Sequence, residues 1–274
     1  MRVAPASRTA LLAALALLLA ACGSHPVRQS PPSGPERDSG PNGTVDVSRI
    51  PEPVPRPEPL SAYGNRSPYT VLGKNYTVLP SAAGYVQRGI ASWYGNKFHG
   101  RPTSSREPYD MYQFTAAHKS LPLPTYARVT NLDNGQSVVV RVNDRGPFHD
   151  DRIIDLSYAA AVRIGIAARG TGLVEVRAID PADPGQDRSA ARPAIGPHRV
   201  YVQVGAFDDR DNAQRIKQRL EQHAIDRVFL DRVRRGGRVL HRVRIGPLAD
   251  TAAVDSVAAR LRALGLDSIT VAVE

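Results

Sequence analysis

Cysteine occurs once in the 274 residues, at Cys22, so no intrachain disulfide can staple the fold. Long apolar runs are equally scarce. The run between Ala10 and Ala21 is shorter than the roughly 20 residues a membrane-spanning helix needs. The chain shows no internal repeat. Acidic residues are in the minority, 26 against 36 Lys and Arg, for a formal net charge of +10. The basic excess is spread over the chain among acidic neighbours rather than gathered in one patch, which argues against a nucleic-acid groove.

What is present begins with Arg2 and Arg8, the apolar run, and Leu19-Ala20-Ala21-Cys22, the three-part layout of a secretion signal. The last four residues resemble a bacterial lipobox. The resemblance implies that residues 1–21 are removed and that the Cys22 thiol carries diacylglycerol. Gly23, rather than an acidic residue, after the cysteine implies sorting to the periplasmic face of the outer membrane. Without Arg2 and Arg8 the net charge is about +8, suited to an anionic surface. Residues 22–67 are rich in Pro, Gly, Ser and charge, with Pro51, Pro53, Pro55, Pro57 and Pro59 on alternate positions. Such a stretch builds no core and favours extended chain of about 3.1 Å per residue, so it reads as a disordered tether. A second polar stretch, 181–197, reads as a linker between segments of domain size at 68–180 and 198–274.

In the first segment strands are predicted over 90–94, 127–132, 136–142 and 173–179, with Asn134-Gly135 turning a tight hairpin. A short helix is expected near 115–119. Another runs from an N-cap at Ser157 through Ile164 and stops at Gly165. The segment is thus mostly β, a small barrel. The second segment alternates strand 198–204, helix 211–223, a hairpin of 228–233 and 238–245 around Gly236-Gly237, a helix capped by Asp250 and stopped by Gly265, and strand 268–273. That βαββαβ order packs as two helices on a four-stranded sheet, a small α+β domain.

The strongest chemical candidate among the residues is Asp144, in Asn143-Asp144-Arg145-Gly146-Pro147-Phe148 directly after the apolar strand. A carboxyl at the end of a buried strand is rigidly held, and desolvation can keep it protonated as a general acid. The same aspartate could equally pair with Arg141 or Arg145, or cap the turn. His118 with His99, His149 and Asp150 matches no zinc spacing, so neither metal nor cofactor is expected. Trp93, Tyr94 and Phe148 have flat faces that suit sugars, although each alone reads first as core.

Seven ordered blocks carry a resemblance across this whole segment. They are Gly89-Ile90-Ala91-Ser92-Trp93-Tyr94-Gly95, Phe98-His99-Gly100, Tyr109-Asp110-Met111, Thr115-Ala116-Ala117-His118, Asn131-Leu132-Asp133-Asn134-Gly135, Val140 through Phe148, and Arg152-Ile153-Ile154-Asp155-Leu156-Ser157. Together they resemble the rare lipoprotein A family. The resemblance implies a double-psi β-barrel and an endolytic lytic transglycosylase. Such an enzyme cuts the bond between N-acetylmuramic acid and N-acetylglucosamine in peptidoglycan strands that have lost their stem peptides, and leaves 1,6-anhydro ends. It maps the functional residues to Asp144 as acid, with Glu107 and His118 positioning substrate or stabilising charge. Where the family usually has a small Asn-Gly-like turn before the glutamate, this chain has Ser104-Ser105-Arg106, an arginine at a place where glycine usually takes positive φ. A non-catalytic wall-binding lipoprotein is the alternative reading.

In the second segment Tyr201, Gln203, Arg242 and Arg244 alternate with apolar residues and fall on the sheet face that no helix covers. Val202-Gln203-Val204-Gly205-Ala206-Phe207 and Arg242-Val243-Arg244-Ile245-Gly246-Pro247-Leu248 resemble the SPOR domain. This implies binding of glycan stripped of stem peptides, through Gln203, Gly205, Arg242, Arg244 and Gly246, and enrichment at the division septum during daughter-cell separation. RNA-recognition domains share the strand order, but their paired stacking aromatics are missing, so no nucleic-acid partner is expected. The expected partners are denuded glycan and, through lipid on Cys22, a membrane.

Overall fold

The computed structural model describes residues 38–183 except 42 and 44, residue 195, and residues 198–274 except 267 and 268. The expected signal at 1–21, Cys22 and most of the expected linker at 181–197 lie outside the described residues.

A short hairpin, β1 (Tyr69–Val71) and β2 (Lys74–Tyr76), precedes six strands that close into a barrel. These are β3 (Val86–Tyr94), β4 (Thr115–His118), β5 (Thr125–Asn131), β6 (Ser137–Asp144), β7 (Arg152–Ser157) and β8 (Thr171–Ala178), in the order β3-β7-β4-β6-β5-β8. β3 with β7 and β4 with β6 run parallel, and the other pairings are antiparallel. Closure leaves no edge strand to protect. Alternation sends Val138, Val140 and Val142 of β6, with Ile154 and Leu156 of β7, into the packed interior.

Residues 115–118 form a strand, not the expected helix. β4 lies between parallel β6 and antiparallel β7, so both of its edges are paired. Two-sided pairing outweighs the weak helical preference of four residues, and Ala116 is small enough for the crowded interior. Elsewhere the local signals hold. Ser157 caps α1 (Tyr158–Arg163) by accepting the Ala160 amide at 3.3 Å, and Gly165 follows with φ 77°. Gly135 turns between β5 and β6 with φ 73°, within a five-residue connection rather than a two-residue one.

Residues 38–67, expected in the tether, lie against the barrel where they are described. Asp38 accepts the amides of Gly95 at 2.7 Å and Lys97 at 3.0 Å. Arg163 donates to the carbonyls of Val47 and Ile50, and Asn65 bridges to the Leu123 backbone. An extended proline-rich chain has no internal hydrogen bonds, so its carbonyls are free to take donors from a neighbouring surface.

The second domain comprises β9 (Val200–Phe207), α2 (Arg210–Gln222), β10 (Val228–Arg235), β11 (Arg238–Leu248), α3 (Thr251–Ala263) and β12 (Thr270–Val273). Its antiparallel sheet has the order β10-β11-β9-β12. Asp209 and Asp250 cap the two helices through the amides of Asn212 and Ala253. Leu220 and Leu261 of the helices pack with Val202 and Ile245 of the sheet.

Candidate active site and glycan-binding face

Asp144 closes β6, the apolar strand that fixes its backbone. Its Oδ1 accepts three donors: the Ser104 amide at 2.8 Å, the Ser104 hydroxyl at 2.6 Å and the Arg145 amide at 2.7 Å. Oδ2 takes no hydrogen bond among the described residues, and Asp144 lines a cleft of about 520 Å³ with Tyr69, Ser104, Arg106, Arg145 and Phe148. One oxygen is anchored and the other is left for the cleft. The guanidinium of neither neighbouring arginine bonds to Asp144; Arg145 reaches it only through its backbone amide. Arg145, only 9% exposed, turns into the protein, where Nη1 donates to the carbonyls of His118 and Leu121, Nε to Gly64 O and Nη2 to Asn65 Oδ1. Arg141 bonds to carboxylates elsewhere.

Glu107 is one of them. Arg141 Nη1 reaches its two oxygens at 2.9 and 2.7 Å, and Asn143 Nδ2 donates at 2.8 Å. Burial raises the Glu107 pKa, but the hydrogen bonds from Arg141 and Asn143 more than offset this and hold it below the ordinary value. Asn143 precedes Asp144 on β6, so one strand end serves both carboxyls. The turn before Glu107 does form: Arg106 takes φ 74°, its amide bonds to Thr103 O at 2.9 Å, and its guanidinium lies 5.2 Å from the Tyr63 ring centroid. Stacking on Tyr63 compensates for the missing glycine. Arg106→Ala should therefore lose about 0.5–1 kcal/mol of stability, and Arg106→Gly should recover most of it because glycine takes this φ freely; urea unfolding of the two variants checks both.

Of the three expected catalytic residues only Asp144 lines the cleft; Glu107 sits behind it on Arg141 and Asn143, and His118 is elsewhere. It is 2% exposed, and its Nδ1 accepts the amides of Ser120 at 3.1 Å and Leu121 at 3.0 Å, which leaves the proton on Nε2, 2.9 Å from the Tyr85 hydroxyl. Burial, with Arg145 and Lys119 nearby, pushes its pKa down to about 3, so the ring is neutral. It shapes the 119–121 loop, and its own carbonyl holds Arg145. Trp93 and Tyr94 are also structural. Trp93 donates to Ala167 O at 3.1 Å, and Tyr94 stacks on Tyr109 at 4.0 Å. Phe148 does line the cleft. Among the described residues no three His, Cys, Asp or Glu side chains converge as metal ligands.

On the second domain, Arg244 corrects the expectation of two exposed arginines. It is 3% exposed, 4.2 Å over the Tyr201 ring, and bonded to Asp231 at 3.1 Å and Glu274 at 2.7 Å. Tyr201 meets Phe229 edge-on across the outer face, and a planar guanidinium completes that stack better than it would project into solvent. Arg242 pairs with the same Asp231 but stays partly exposed, as does Gln203. Gly246 has φ 140°, and a Cβ there would meet Tyr201 Cδ1 and Val200 O at 2.8 Å each. At Gly205 a Cβ would meet the Phe207 ring at 2.7 Å. Both glycines are packing requirements.

Residues 86–177 match the family model described as lytic transglycolase, and residues 196–272 match that of the SPOR domain. The endolytic peptidoglycan transglycosylase RlpA of Pseudomonas aeruginosa is 40% identical over 319 residues, covering 93% of each chain. The chain belongs to the RlpA family. An RlpA of Vibrio cholerae with the same description is 38% identical over 262 residues, 96% of this chain and 95% of that one. The crystal structure of the Pseudomonas aeruginosa RlpA SPOR domain is 34% identical and covers 27% of this chain and 96% of its own, with a TM-score of 0.26.

Two features of this RlpA-family site escaped the sequence reading. The first is the β1–β2 hairpin, where Tyr69 stacks on Tyr76 at 5.3 Å and Tyr76 meets Phe148 at 5.5 Å, walling the cleft with aromatic faces. The tyrosines bracketing the Leu72-Gly73 turn were the available signal. The second is Asp155. Ala117 pairs in register with Asp144 on one side and Asp155 on the other, which puts both carboxyls on one face of the barrel wall. Inward Ile154 and Leu156 around it could have shown this. Asp155 accepts the Ser92 hydroxyl, whose oxygen in turn accepts Arg152 Nη1 at 3.2 Å. Burial raises its pKa above the ordinary 3.8, against the opposing effects of Ser92 and Arg152. The folded state thus holds this proton more tightly than the unfolded chain does. Its stabilising effect is complete below that ordinary value and is lost as pH rises through the folded one. Asp155→Asn should accordingly raise the melting temperature at neutral pH, with the gain vanishing in acid; melts across the pH range would show it.

Proposed function

We propose that this chain cuts peptidoglycan glycan strands as an endolytic lytic transglycosylase, with Asp144 moving the proton. The observation that supports this most directly is a carboxyl with one oxygen fixed by three donors and the other left for an aromatic-walled cleft. Asp144 gives a proton to the glycosidic oxygen as the bond from C1 of N-acetylmuramic acid breaks. The C6 hydroxyl oxygen of that sugar then closes on C1, and its proton passes to Asp144. No water is consumed, the acid is regenerated, and a 1,6-anhydro end results. Glu107, held ionised by Arg141 and by Asn143 next to Asp144, supplies negative charge that offsets positive charge developing at C1. Tyr69 and Phe148 offer flat faces to the sugar C–H surfaces. His118 contributes only through Arg145.

The second domain holds glycan that has lost its stem peptides, with Gln203 and Arg242 as accessible polar contacts and Gly205, Gly246 and buried Arg244 shaping the face beneath. The lipobox-like Leu19-Ala20-Ala21-Cys22 and the SPOR match support a lipoprotein on the periplasmic face of the outer membrane that collects at the septum, working in wall remodelling and daughter-cell separation. The test is mass spectrometry of products from stem-peptide-free glycan. Anhydro ends are expected. Reducing ends would make the protein a hydrolase, and intact glycan that still binds would leave a non-catalytic wall-binding protein.

A further inference from the structure

We infer that residues 58–66 are a working wall of the active site and that Glu58 is a positioning residue for Glu107. This rests on the transglycosylase reading and adds to it a segment that lies before the lytic transglycolase match at 86–177. Arg141 lies between two carboxylates. Glu58 takes its Nε at 3.2 Å and Nη2 at 2.8 Å, while Nη1 serves Glu107. A planar guanidinium bound along one edge cannot rotate, so the nitrogen facing Glu107 is presented at a fixed place. The Tyr126 hydroxyl, donating to Glu58, fixes that carboxylate in turn.

The residues after Glu58 converge on the same site. Tyr63 lies under Arg106, the positive-φ residue of the turn that carries Glu107. Gly64 O and Asn65 Oδ1 accept from Arg145, the neighbour of Asp144. Gly64 has φ 79°, and a Cβ there would fall 2.9 Å from the carbonyl oxygen of Ser104, whose amide and hydroxyl anchor Asp144. One short stretch thus reaches the supports of both carboxyls. A strap that merely tied the chain down would need none of this, since Val47, Ile50 and Glu52 already fasten it to Arg163 at the other end.

The test uses the full-length protein with three substitutions, Glu58→Ala, Glu58→Gln and Glu52→Gln. Glu58→Ala frees Arg141 and should lower kcat about 10- to 100-fold, with KM changed less than about twofold, because the acceptor geometry and not glycan binding is lost. Glu58→Gln keeps the shape and removes a like charge near Glu107, so the Glu107 carboxyl, followed by 13C NMR, should titrate at lower pH than in the wild type. Glu52→Gln should keep the wild-type rate. The inference is overturned by wild-type kcat in Glu58→Ala, by a loss that only tracks the unfolded fraction, by an unmoved Glu107 titration, or by an equal loss in Glu52→Gln. A wild-type protein that makes no anhydro ends would sink the transglycosylase reading instead, and the titration would still decide the role of Glu58.

Discussion

Asp144→Asn is expected to leave stem-peptide-free glycan uncut, its rate falling by about 100- to 10,000-fold, the range ascribed to a positioned proton donor. The substitution is a clean one here. An asparagine oxygen can still accept the amides of Ser104 and Arg145 and the Ser104 hydroxyl, so the strand end and its loop keep their geometry. What disappears is a group able to give and take a proton at the cleft side. Glycan binding and the melting temperature should therefore stay near wild type while product formation collapses. Cleavage that survived the change would move the proton transfer to another carboxyl, and Asp155, in register across Ala117, would be the first to test.

Arg145→Met should have the largest effect on stability, about 3–5 kcal/mol, because several buried neutral acceptors are left without a donor at about 1–3 kcal/mol each. Four acceptors lose the guanidinium at once: the carbonyls of His118, Leu121 and Gly64, and Asn65 Oδ1, of which Asn65 Oδ1 keeps the Leu123 amide at 2.8 Å. Methionine fills much of the volume but satisfies none of them, and each buried unpaired acceptor carries a desolvation cost. Against a typical domain stability of about 5–15 kcal/mol the loss is severe. Arg145→Lys should recover only part of it, because one ammonium cannot span four acceptors arranged around a planar fork. Urea unfolding measures both. A loss below about 1 kcal/mol in Arg145→Met would show that water replaces the guanidinium, and that Arg145 does not pin the Asp144 loop.

The second domain was almost wholly legible in the sequence, because each of its elements carries a local signal strong enough to stand alone. Asp209 and Asp250 cap helices of thirteen residues each, and Gly236-Gly237 turns a hairpin whose strands alternate cleanly. The barrel was less so. Thr115–His118 is too short to have a reliable preference of its own, and only pairing with β6 and β7 makes it a strand. Residues 38–67 misled in the opposite direction: their composition forbids a core, but it does not forbid laying extended chain onto a core that already exists.

Sequence by itself determined the two-domain order, the βαββαβ pattern, and the placement of Asp144 at the end of an apolar strand, since these follow from periodicity, caps and turn residues within a few positions of one another. Through resemblance it also pointed to Glu107. Tertiary structure alone decided which partners those carboxyls have. It turned Arg145 inward and away from Asp144, gave Arg141 to Glu107 and Glu58, buried His118 as a neutral loop support, and stacked Arg244 on Tyr201 beneath the face where it was expected to stand free. Apart from the bonds of His118 to its own loop, two and three residues away, these depend on which groups, 24 to 83 residues apart in the chain, meet in the fold, and no local pattern of residue types encodes that.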